Sequence, residues 1–266
     1  MAVSPENPPP KAKITVRDLT MAFGSFVVMH DLNFEVMEKD IFIIMGPSGC
    51  GKSTLLRHLI GLQEPAKGSV LYEGEDFTAT DLSERGKFIR RIGVMYQSGA
   101  LWSSMTLAEN IAMPLEENSK LSPKAISDLV SYKLSLVGLS GYEDYYPAQI
   151  SGGMNKRAGI ARAMALDPDI LFLDEPGAGL DPLSSRRLDD LILRLRDSLG
   201  STVVIVTHEL ASIFAIANNS IFLDTATRTQ GATGNPTELR DHSENPAVRL
   251  FLRRGEDGKP SNTPPS

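Results

Sequence analysis

A glycine-rich segment between an apolar run and a helix-forming segment constrains this chain more than any other feature. Residues 46–53 read Gly-Pro-Ser-Gly-Cys-Gly-Lys-Ser and follow the apolar run Ile41–Met45. Glycines on both sides of four residues, followed by Lys-Ser, form the phosphate-binding pattern in its expected place, after a strand and before a helix. The segment therefore predicts an α/β fold with a loop that binds a nucleoside triphosphate.

The residue types of this loop suit the chemistry of a triphosphate. Gly46, Gly49 and Gly51 let backbone N–H groups turn inward and approach phosphate oxygens closely. The helix that opens near Lys52 directs the positive end of its dipole at the same oxygens. We expect Lys52 to reach the β- and γ-phosphates and Ser53 Oγ to bind Mg²⁺. A glycine-rich turn with a chance lysine is the alternative. The predicted loop comprises Gly46, Pro47, Ser48, Gly49, Cys50, Gly51, Lys52, Ser53 and Thr54.

Composition narrows the class of protein. The chain has 266 residues, 41% hydrophobic and 23% charged, which suits one large α/β domain or a domain with a sizeable subdomain. A net charge of −6 argues against a general nucleic-acid binder, which would carry a basic face. The single cysteine, Cys50, fits a reducing compartment, and we interpret it as a small loop side chain rather than a redox group.

The two ends of the chain offer little to bury. Residues 1–13 and 255–266 are rich in Pro, Ser, Gly or charge, so we predict disordered tails there. The N-terminal segment lacks the apolar core of a secretory signal. No run approaches the ~20 apolar residues that span a bilayer, so we expect other chains to hold this one at any membrane.

Strand and helix patterns alternate along the chain, and helical spacing of apolar residues dominates from about 98 to 166. The predicted strands are 14–16, 34–36, 41–45, 69–72, 92–96, 170–173, 203–207 and 221–223, with a turn at 73–76. The predicted helices are 54–62, 107–113, 123–137, 182–198 and 210–217. These patterns indicate an α/β nucleotide-binding core with a helical insertion.

Downstream of the phosphate loop, an apolar strand pattern ends in two acidic residues. Residues 170–175 read Ile-Leu-Phe-Leu-Asp-Glu, so Asp174 and Glu175 stand at the strand end. In a phosphate-loop protein the first carboxylate can hold Mg²⁺, and the second can orient or deprotonate the attacking water. Two solvated acids are the alternative, but the phosphate loop upstream favours the catalytic interpretation.

A second candidate anion site precedes another helix. Ser151, Gly152 and Gly153 stand before a helix that we expect to begin near Asn155. Ser151 is a suitable N-cap, and the glycines allow close backbone approach. Taken alone, this would be an ordinary capped helix start. Together with the phosphate loop, the chain would have two anion-binding helix ends, although one γ-phosphate site in a monomer does not obviously need both.

The order of the motifs resembles that of the ATP-binding cassette (ABC) ATPases over residues 14–240. After the phosphate loop come a Gln loop at Gln97, a signature at 151–153, the acids Asp174 and Glu175, a D-loop at 179–181 and a switch histidine at His208. The resemblance implies a P-loop NTPase fold: an ABC ATPase core with an inserted helical subdomain at about 98–166 and an antiparallel β subdomain.

The resemblance also implies a mechanism with ATP and Mg²⁺. Two copies would form a head-to-tail dimer, in which each ATP lies between the phosphate loop of one copy and the signature of the other. Phe23 would stack on adenine, although it could instead be a core residue. The implied metal ligands are Ser53, Gln97 and Asp174. The implied catalytic residues are Glu175 as base, His208 at the γ-phosphate and water, and Lys52. The nucleotide contacts would also include Gln97, Ser151, Gly152, Gly153 and Asp181.

Departures from the family pattern help to narrow the subfamily. The signature ends in Met154 where most members have Gln, and the D-loop has Ala178-Gly179 instead of the commoner Ser-Ala. Neither removes a γ-phosphate donor or the base, so we expect active hydrolysis. Segments 97–102, 151–154 and 245–252 are similar to ATPases of Mla-type systems, which move phospholipid between the inner and outer membranes of Gram-negative bacteria.

This similarity implies partners and a location. The chain would be a peripheral subunit on the cytoplasmic face of the inner membrane, bound to permease subunits, with an MCE-domain lipid-binding protein and a small STAS-domain protein as further partners. Residues 98–109 would line the groove for a permease helix, with Trp102 as anchor. A core position for Trp102 is the alternative.

The segment 241–266 is predicted to be a tail that contains a short helix. Its apolar residues recur at helical spacing, so the helix could pack on its own domain or on the dimer mate, and the Mla-type similarity favours the mate. These residues are Val248, Phe251 and Leu252.

Other functions share part of the pattern. An ABC importer ATPase for amino acids or another small solute has every core motif, and only the tail and Met154 argue against it. A soluble ABC ATPase of DNA repair or translation usually carries long coiled-coil insertions or two cassettes. A non-hydrolysing nucleotide sensor conflicts with Glu175 and His208.

Overall fold

Strands and helices alternate through the residues that the computed structural model describes, 11–80, 84–97 and 99–253. The strands are β1 Ala12–Phe23, β2 Phe26–Met37, β3 Ile41–Met45, β4 Lys67–Tyr72, β5 Glu75–Asp76, β6 Ile92–Met95, β7 Ile170–Asp174, β8 Thr202–Val206, β9 Asn219–Asp224 and β10 Thr229–Gly234. The helices are α1 Lys52–Leu59, α2 Gly86–Ile89, α3 Leu107–Asn118, α4 Pro123–Leu136, α5 Gly152–Ala163, α6 Pro182–Leu199, α7 Leu210–Ile216, α8 Pro236–His242 and α9 Pro246–Arg253.

A mainly parallel sheet with the strand order β10-β9-β3-β8-β7-β6 forms the centre of the molecule. Strands β3 and β8 are buried along their whole length, as continuous Ile and Val runs predict for a sheet covered on both faces. β7, β8 and β3 run parallel, so their carboxyl ends meet at one edge. The phosphate loop follows β3, the two acids end β7, and His208 follows β8. This strand order therefore brings the three motifs to one place.

A smaller antiparallel sheet has the order β2-β1-β4-β5. β1 and β2 form a hairpin in which Phe23 pairs with Phe26 at the turn. The predicted fold class, an α/β core with an antiparallel β subdomain, is therefore confirmed.

The chain between β6 and β7 contains α3, α4 and α5. Each helix has a side-chain N-cap: Thr106 in a capping box with Glu109, Ser122 before Pro123, and Ser151. Their apolar faces join the core beside the central sheet, through residues that include Leu107, Ile111, Leu115, Ile126, Val130, Leu134 and Ile160. The predicted helical segment begins too early, because residues 99–106 form a loop.

The structure revises the predicted ends of the domain. β1 already includes Ala12 and Lys13, which the predicted tail 1–13 contained. Lys13 is buried, and its Nζ lies 2.8 Å from Glu73 Oε1, so this residue has a fixed place at the sheet edge. The rest of the predicted N-terminal tail, residues 1–10, and the tail at 255–266 lie outside the described residues, apart from Lys11 at the boundary.

The C-terminal helix α9 packs against its own domain. Val248 and Leu252 are fully buried, and the Phe251 ring lies 5.3 Å from the Phe222 ring between centroids. The sequence left two alternatives for this apolar face, its own domain or the dimer mate, and in the structure the face packs on its own domain. The apolar face that the spacing predicted is buried within the chain, where Phe251 packs against Phe222 of β9 and Ala232 of β10 joins the same core.

Several short elements were not predicted, among them α2, β5 (which lies in the predicted turn 73–76), β10 and α8. Both β10 and α8 contain few large apolar residues, so they lack a hydrophobic pattern. β10 is an edge strand that reads Thr-Gln-Gly-Ala-Thr-Gly. None of the helices in the described ranges is long and apolar enough to cross a membrane.

Candidate active site

An open cleft of about 510 Å³ lies at the carboxyl edge of the central sheet. It collects residues from the hairpin of the small sheet, the loop after β3, and the ends of β6, β7 and β8. The lining residues are Phe23, Phe26, Val28, Ser48, Gly49, Gly51, Lys52, Ser53, Thr54, Gln97, Glu175 and His208. Most of the predicted site residues thus surround one cavity.

The glycines of the phosphate loop occupy backbone conformations that other residues rarely adopt. Gly46, Gly49 and Gly51 have φ values of 149°, 78° and 100°. A Cβ atom on Gly46 would lie 2.8 Å from the Leu223 carbonyl oxygen, which belongs to the backbone and cannot easily move. The loop therefore needs glycine at position 46 for steric as well as conformational reasons.

The neighbouring Cys50 is a packed side chain of this loop. It is buried, and burial raises the pKa of its thiol. A neutral thiol in this position agrees with the interpretation of Cys50 as a small side chain.

The ammonium group of Lys52 folds back over the loop. Nζ donates hydrogen bonds to the carbonyl oxygens of Gly46 and Pro47, both at 3.0 Å. Lys52 stands at the first position of α1, where the helix dipole also presents positive charge. The loop therefore concentrates positive potential at the place where a phosphate chain would lie.

Of the two acids at the end of β7, Glu175 is buried and Asp174 is partly buried, and they have different contacts. Glu175 Oε1 lies 2.8 Å from His208 Nδ1. Asp174 Oδ1 and Glu175 Oε2 are buried with no hydrogen-bond partner among the described residues. Burial, followed by the nearby charge of Glu175, raises the pKa of Asp174, while Arg57, Lys52 and Lys156 act in the opposite direction.

These orphaned oxygens fit a bound Mg²⁺ and a water molecule, because buried polar atoms in native proteins normally have partners. The described residues contain no cluster of three or more His, Cys, Asp or Glu that could hold a metal by itself. Mg²⁺ commonly takes one or two protein ligands together with phosphates and waters. The donor set of Asp174 and Ser53 suits a metal that arrives with the nucleotide.

The signature residues are not in this cleft. Ser151 is the N-cap of α5, as predicted, and accepts a hydrogen bond from the Met154 N–H at 3.3 Å, but the helix begins at Gly152 and not near Asn155. Ser151 and Gly153 line a separate pocket of about 360 Å³ with Arg157 and Arg187. The chain therefore presents its second candidate anion site on another surface, away from its own phosphate loop.

Asp181 is also outside the cleft. Its carboxylate caps α6 and accepts hydrogen bonds from the backbone N–H groups of Leu183 and Ser184 at 3.0 Å. The hydrogen bond from the Ser184 hydroxyl makes the largest contribution to the lowered pKa of Asp181.

The exposure of two aromatic side chains decides whether they are core residues, which the sequence left open. Phe23 is 53% exposed and Trp102 is 54% exposed, so neither is a core residue. Phe23 faces the cleft together with Phe26, which sequence reasoning missed. The only sequence signal for Phe26 was that it is an aromatic residue on the other side of the short turn that follows Phe23.

Sequence reasoning also missed two buried polar side chains around the site. Lys156 on α5 donates to the carbonyl oxygens of Gln97 and Glu175. Asn110 on α3 is fully buried and bonds both the N–H and the carbonyl of Trp102, at 2.7 and 3.1 Å. A lysine or asparagine within a helix carries no local signal that distinguishes burial from exposure, so only the fold reveals these contacts.

The family model for the ABC transporter matches residues 29–178. The probable ribonucleotide transport ATP-binding protein mkl of Mycobacterium leprae is 40% identical over 239 residues, which cover 90% of this chain and 68% of that protein. The intermembrane phospholipid transport system ATP-binding protein MlaF of Haemophilus influenzae is 37% identical over 245 residues, 92% of both chains. MlaF of Escherichia coli K12 is 36% identical over 92% of this chain and 90% of that protein.

The fold is also similar to solved structures. The cassette MJ0796, described as a dimeric post-hydrolysis state bound to ADP and Pi, superimposes with a TM-score of 0.75 at 27% identity, over 84% of this chain and 98% of that one. CbiO1 from Clostridium perfringens, at a TM-score of 0.80 and 24% identity over 93% of this chain and 98% of that one, shares the fold.

Proposed function

The chain belongs to the ABC transporter family, and we propose that it is the ATP-hydrolysing subunit of a system that moves phospholipid between bacterial membranes. The observation that carries this proposal is the match to MlaF of Haemophilus influenzae over 92% of both chains. An ATPase of this family contacts nucleotide and other subunits, so the lipid assignment depends on this relative and not on the cleft.

The cleft supports hydrolysis of ATP. Phe23 provides an exposed aromatic face for adenine, and the phosphate loop with Lys52 provides N–H groups and charge for the phosphates. Glu175 would accept the proton of the attacking water, and His208 holds one oxygen of that carboxylate in place. Mg²⁺, held by Ser53, Asp174 and Gln97, would supply charge neutralisation at the phosphates.

The location of the signature supports a head-to-tail dimer. Ser151 is exposed on a surface that the chain's own phosphate loop does not reach, and the similar cassette MJ0796 is described as dimeric. Ser151 and Gly153 of one copy would then bind the γ-phosphate held by the other copy, so a complete site would need both.

Mixing two inactive variants tests this arrangement. Lys52→Ala removes the phosphate-loop cation, and Gly153→Asp places a carboxylate at the signature, where a Cβ atom meets only ordinary contacts at 3.8 Å or more. In a mixed dimer, one site combines the intact phosphate loop of Gly153→Asp with the intact signature of Lys52→Ala. We expect the mixture to hydrolyse ATP although neither variant does so alone. No recovery after verified subunit exchange would contradict the shared site.

A groove of about 740 Å³ between α3 and α4 supports a permease contact. Its floor includes Ala112, Ile126 and Val130, and its rim carries acidic residues. The apolar floor suits the apolar face of an amphipathic helix, and the acidic rim suits basic residues on that helix. Of the predicted segment 98–109, Ser104, Met105, Ala108 and Glu109 line this groove, while Ser98 lies outside the described residues.

The further partners and the location belong to the same proposal. We propose an MCE-domain protein and a STAS-domain protein as further partners, and a peripheral position on the cytoplasmic face of the inner membrane. The MlaF relatives are named as ATP-binding proteins of an intermembrane transport system, which agrees with a place at a membrane. Affinity purification of the chain from detergent-solubilised membranes would identify these partners directly.

Reconstitution tests the lipid assignment. The purified complex in vesicles should transfer a labelled phospholipid when ATP is added, and the same complex with Glu175→Gln should not. The mkl relatives, named for ribonucleotide transport, support transport of a small solute as a second candidate. ATP-driven movement of nucleotides without movement of phospholipid would favour that candidate and contradict the first.

A further inference from the structure

Lys156 connects the signature helix to two catalytic segments of its own chain. It lies on the second turn of α5 and is only 8% exposed. Its Nζ donates to the carbonyl oxygen of Gln97, and lies 3.4 Å from the carbonyl oxygen of Glu175. Gln97 follows β6 and Glu175 follows β7, so one ammonium group bridges the ends of two neighbouring strands.

The same side of α5 holds the loop after Gln97 at further points. Arg162 donates a hydrogen bond to the Ala100 carbonyl oxygen. A Cβ atom on Gly159 would lie 2.8 Å from the Gly99 carbonyl oxygen, so helix and loop backbones are in direct contact there. A displacement of α5 would therefore carry this loop with it.

The backbone of Glu175 is held in an uncommon conformation. Its φ of 46° is in the left-handed region, which is unfavourable for a non-glycine residue. The Glu175 N–H donates to the Val206 carbonyl at 2.8 Å, and Lys156 contacts the carbonyl on the other side of the residue. Contacts on both sides maintain the conformation in which the carboxylate meets His208.

Burying an ammonium group is unfavourable, because the charge loses its contact with water. Burial lowers the pKa of Lys156, although the nearby carboxylates of Glu175, Asp174 and Glu209 act in the opposite direction. Apolar residues often replace buried charges without loss of stability, so stability alone does not explain a lysine here. Its donors reach carbonyl oxygens that an apolar side chain would leave without this partner.

We propose that Lys156 is a positioning residue that couples the signature turn, which the chain lends to a second copy, to Gln97 and Glu175 in its own cleft. The coupling rests on the dimer of the proposed function. Capture of the neighbour's γ-phosphate at Ser151 would shift α5, and Lys156 would pass this shift to the catalytic glutamate. The two ATP molecules of a dimer would then be hydrolysed cooperatively.

Steady-state ATP hydrolysis by the full chain tests this role. Lys156→Met keeps the length of the side chain and removes its donors, whereas Lys156→Arg keeps donors. We expect Lys156→Met to lower kcat by about 10- to 100-fold, the scale on which misplaced catalytic groups act. The KM for ATP should change little, because Lys156 does not line the cleft. The Hill coefficient should fall towards 1, and Lys156→Arg should recover part of kcat.

Lys133 provides a matched control. Its side chain is fully buried on α4 and pairs with Asp167, outside the cleft. Lys133→Met should lower the melting temperature without a selective loss of kcat or of cooperativity. If Lys156→Met and Lys133→Met reduce kcat equally and in proportion to lost stability, the role of Lys156 is structural and the inference fails.

Two outcomes separate this inference from the proposed dimer. If Lys52→Ala and Gly153→Asp complement each other while Lys156→Met keeps the wild-type kcat and Hill coefficient, the role of Lys156 is overturned. A wild-type Hill coefficient of 1 would likewise overturn the coupling. If the complementation fails although Lys156→Met loses kcat, the composite site is overturned and the proposed coupling with it.

Discussion

His208 and Glu175 contact each other through Nδ1 and Oε1 at 2.8 Å, although 33 residues separate them in the chain. They follow the adjacent parallel strands β8 and β7, whose register places Asp174 beside Val206. With Glu175 ionised, the histidine Nδ1–H donates to Oε1, while Oε2 is buried without a partner among the described residues. One carboxylate oxygen is thus oriented, and under the proposed function the other would accept a proton from water.

Glu175→Gln should abolish turnover while preserving nucleotide binding. The amide has nearly the shape of the carboxylate, but it cannot accept the proton of the attacking water. We expect kcat to fall by about 10²- to 10⁴-fold, the usual contribution of a general base. Phosphate release and ATP-dependent dimer formation would be measured on the same preparation. Wild-type rates in this variant would remove Glu175 from its role.

His208→Ala should lower kcat with a smaller effect on the KM for ATP. The substitution removes the group that orients Glu175, and a misplaced base can cost about 100-fold. His30→Ala is the control, because His30 lies on β2 and contacts Asp31 rather than the cleft. Equal rates for the two variants would show that the contact with Glu175 has no catalytic consequence.

Gly46→Ala should weaken nucleotide binding at least about tenfold, since the new methyl group collides with the Leu223 carbonyl and distorts the phosphate loop. Gly74→Ala is the matched control. Gly74 also has a positive φ, 91°, but a Cβ atom there meets nothing within 4 Å. We expect the control to lose only about 1–2 kcal/mol of unfolding free energy. Calorimetric titration with ATP would compare the two, and unchanged affinity in Gly46→Ala would contradict the steric argument.

Trp102→Ala should weaken assembly with the permease while leaving the isolated chain folded. More than half of the Trp102 side chain is exposed, and Asn110 holds its backbone in place. Surface substitutions usually change the unfolding free energy by less than about 0.5 kcal/mol, whereas aromatic anchors can contribute 2 kcal/mol or more to binding. Co-purification from membranes would measure assembly.

Tyr132→Ala is the comparison for Trp102, because Tyr132 is 50% exposed on α4. Assembly that survives Trp102→Ala as well as it survives Tyr132→Ala would argue against the anchor.

Asp189→Asn should stabilise the fold at neutral pH and have less effect in acid. Burial raises the pKa of Asp189 from 3.8 to about 6, and the Ser212 hydroxyl bonds its Oδ2 at 2.9 Å. Because the folded state holds this proton more tightly, the contribution of Asp189 to stability is full below about pH 4 and is lost as pH rises to about 6. Above that pH the buried charge costs at most about 3 kcal/mol.

Asparagine does not ionise, so the stability difference between Asp189→Asn and the wild type should grow from pH 5 to pH 7. Urea denaturation at a series of pH values would measure it. A difference that stays constant with pH would contradict the shifted pKa.

Much of the fold follows from local patterns. Continuous apolar runs identified β3, β7 and β8, because strands covered on both faces have no polar side to alternate. The patterns failed where apolar content is low, as in β10, and where exposure depends on neighbours, as in the loop that displays Trp102. The helix α9 was predicted, but the surface that it covers stayed open between its own domain and the dimer mate, because amphipathic spacing does not identify what covers the apolar face.

The amino-acid sequence by itself determined the chemistry of each motif: a glycine-rich loop that must adopt positive φ, a strand that ends in two acids, and a serine that caps a helix. These properties are local, since they depend on side-chain type and on a few consecutive backbone angles. The tertiary structure alone decided which motifs meet. Strand order brings Lys52, Glu175 and His208 to one edge and leaves Ser151 on another surface. Packing of α5 buries Lys156 against the backbone of Gln97 and Glu175. Long-range contacts, and not residue type, determine which polar groups lose water.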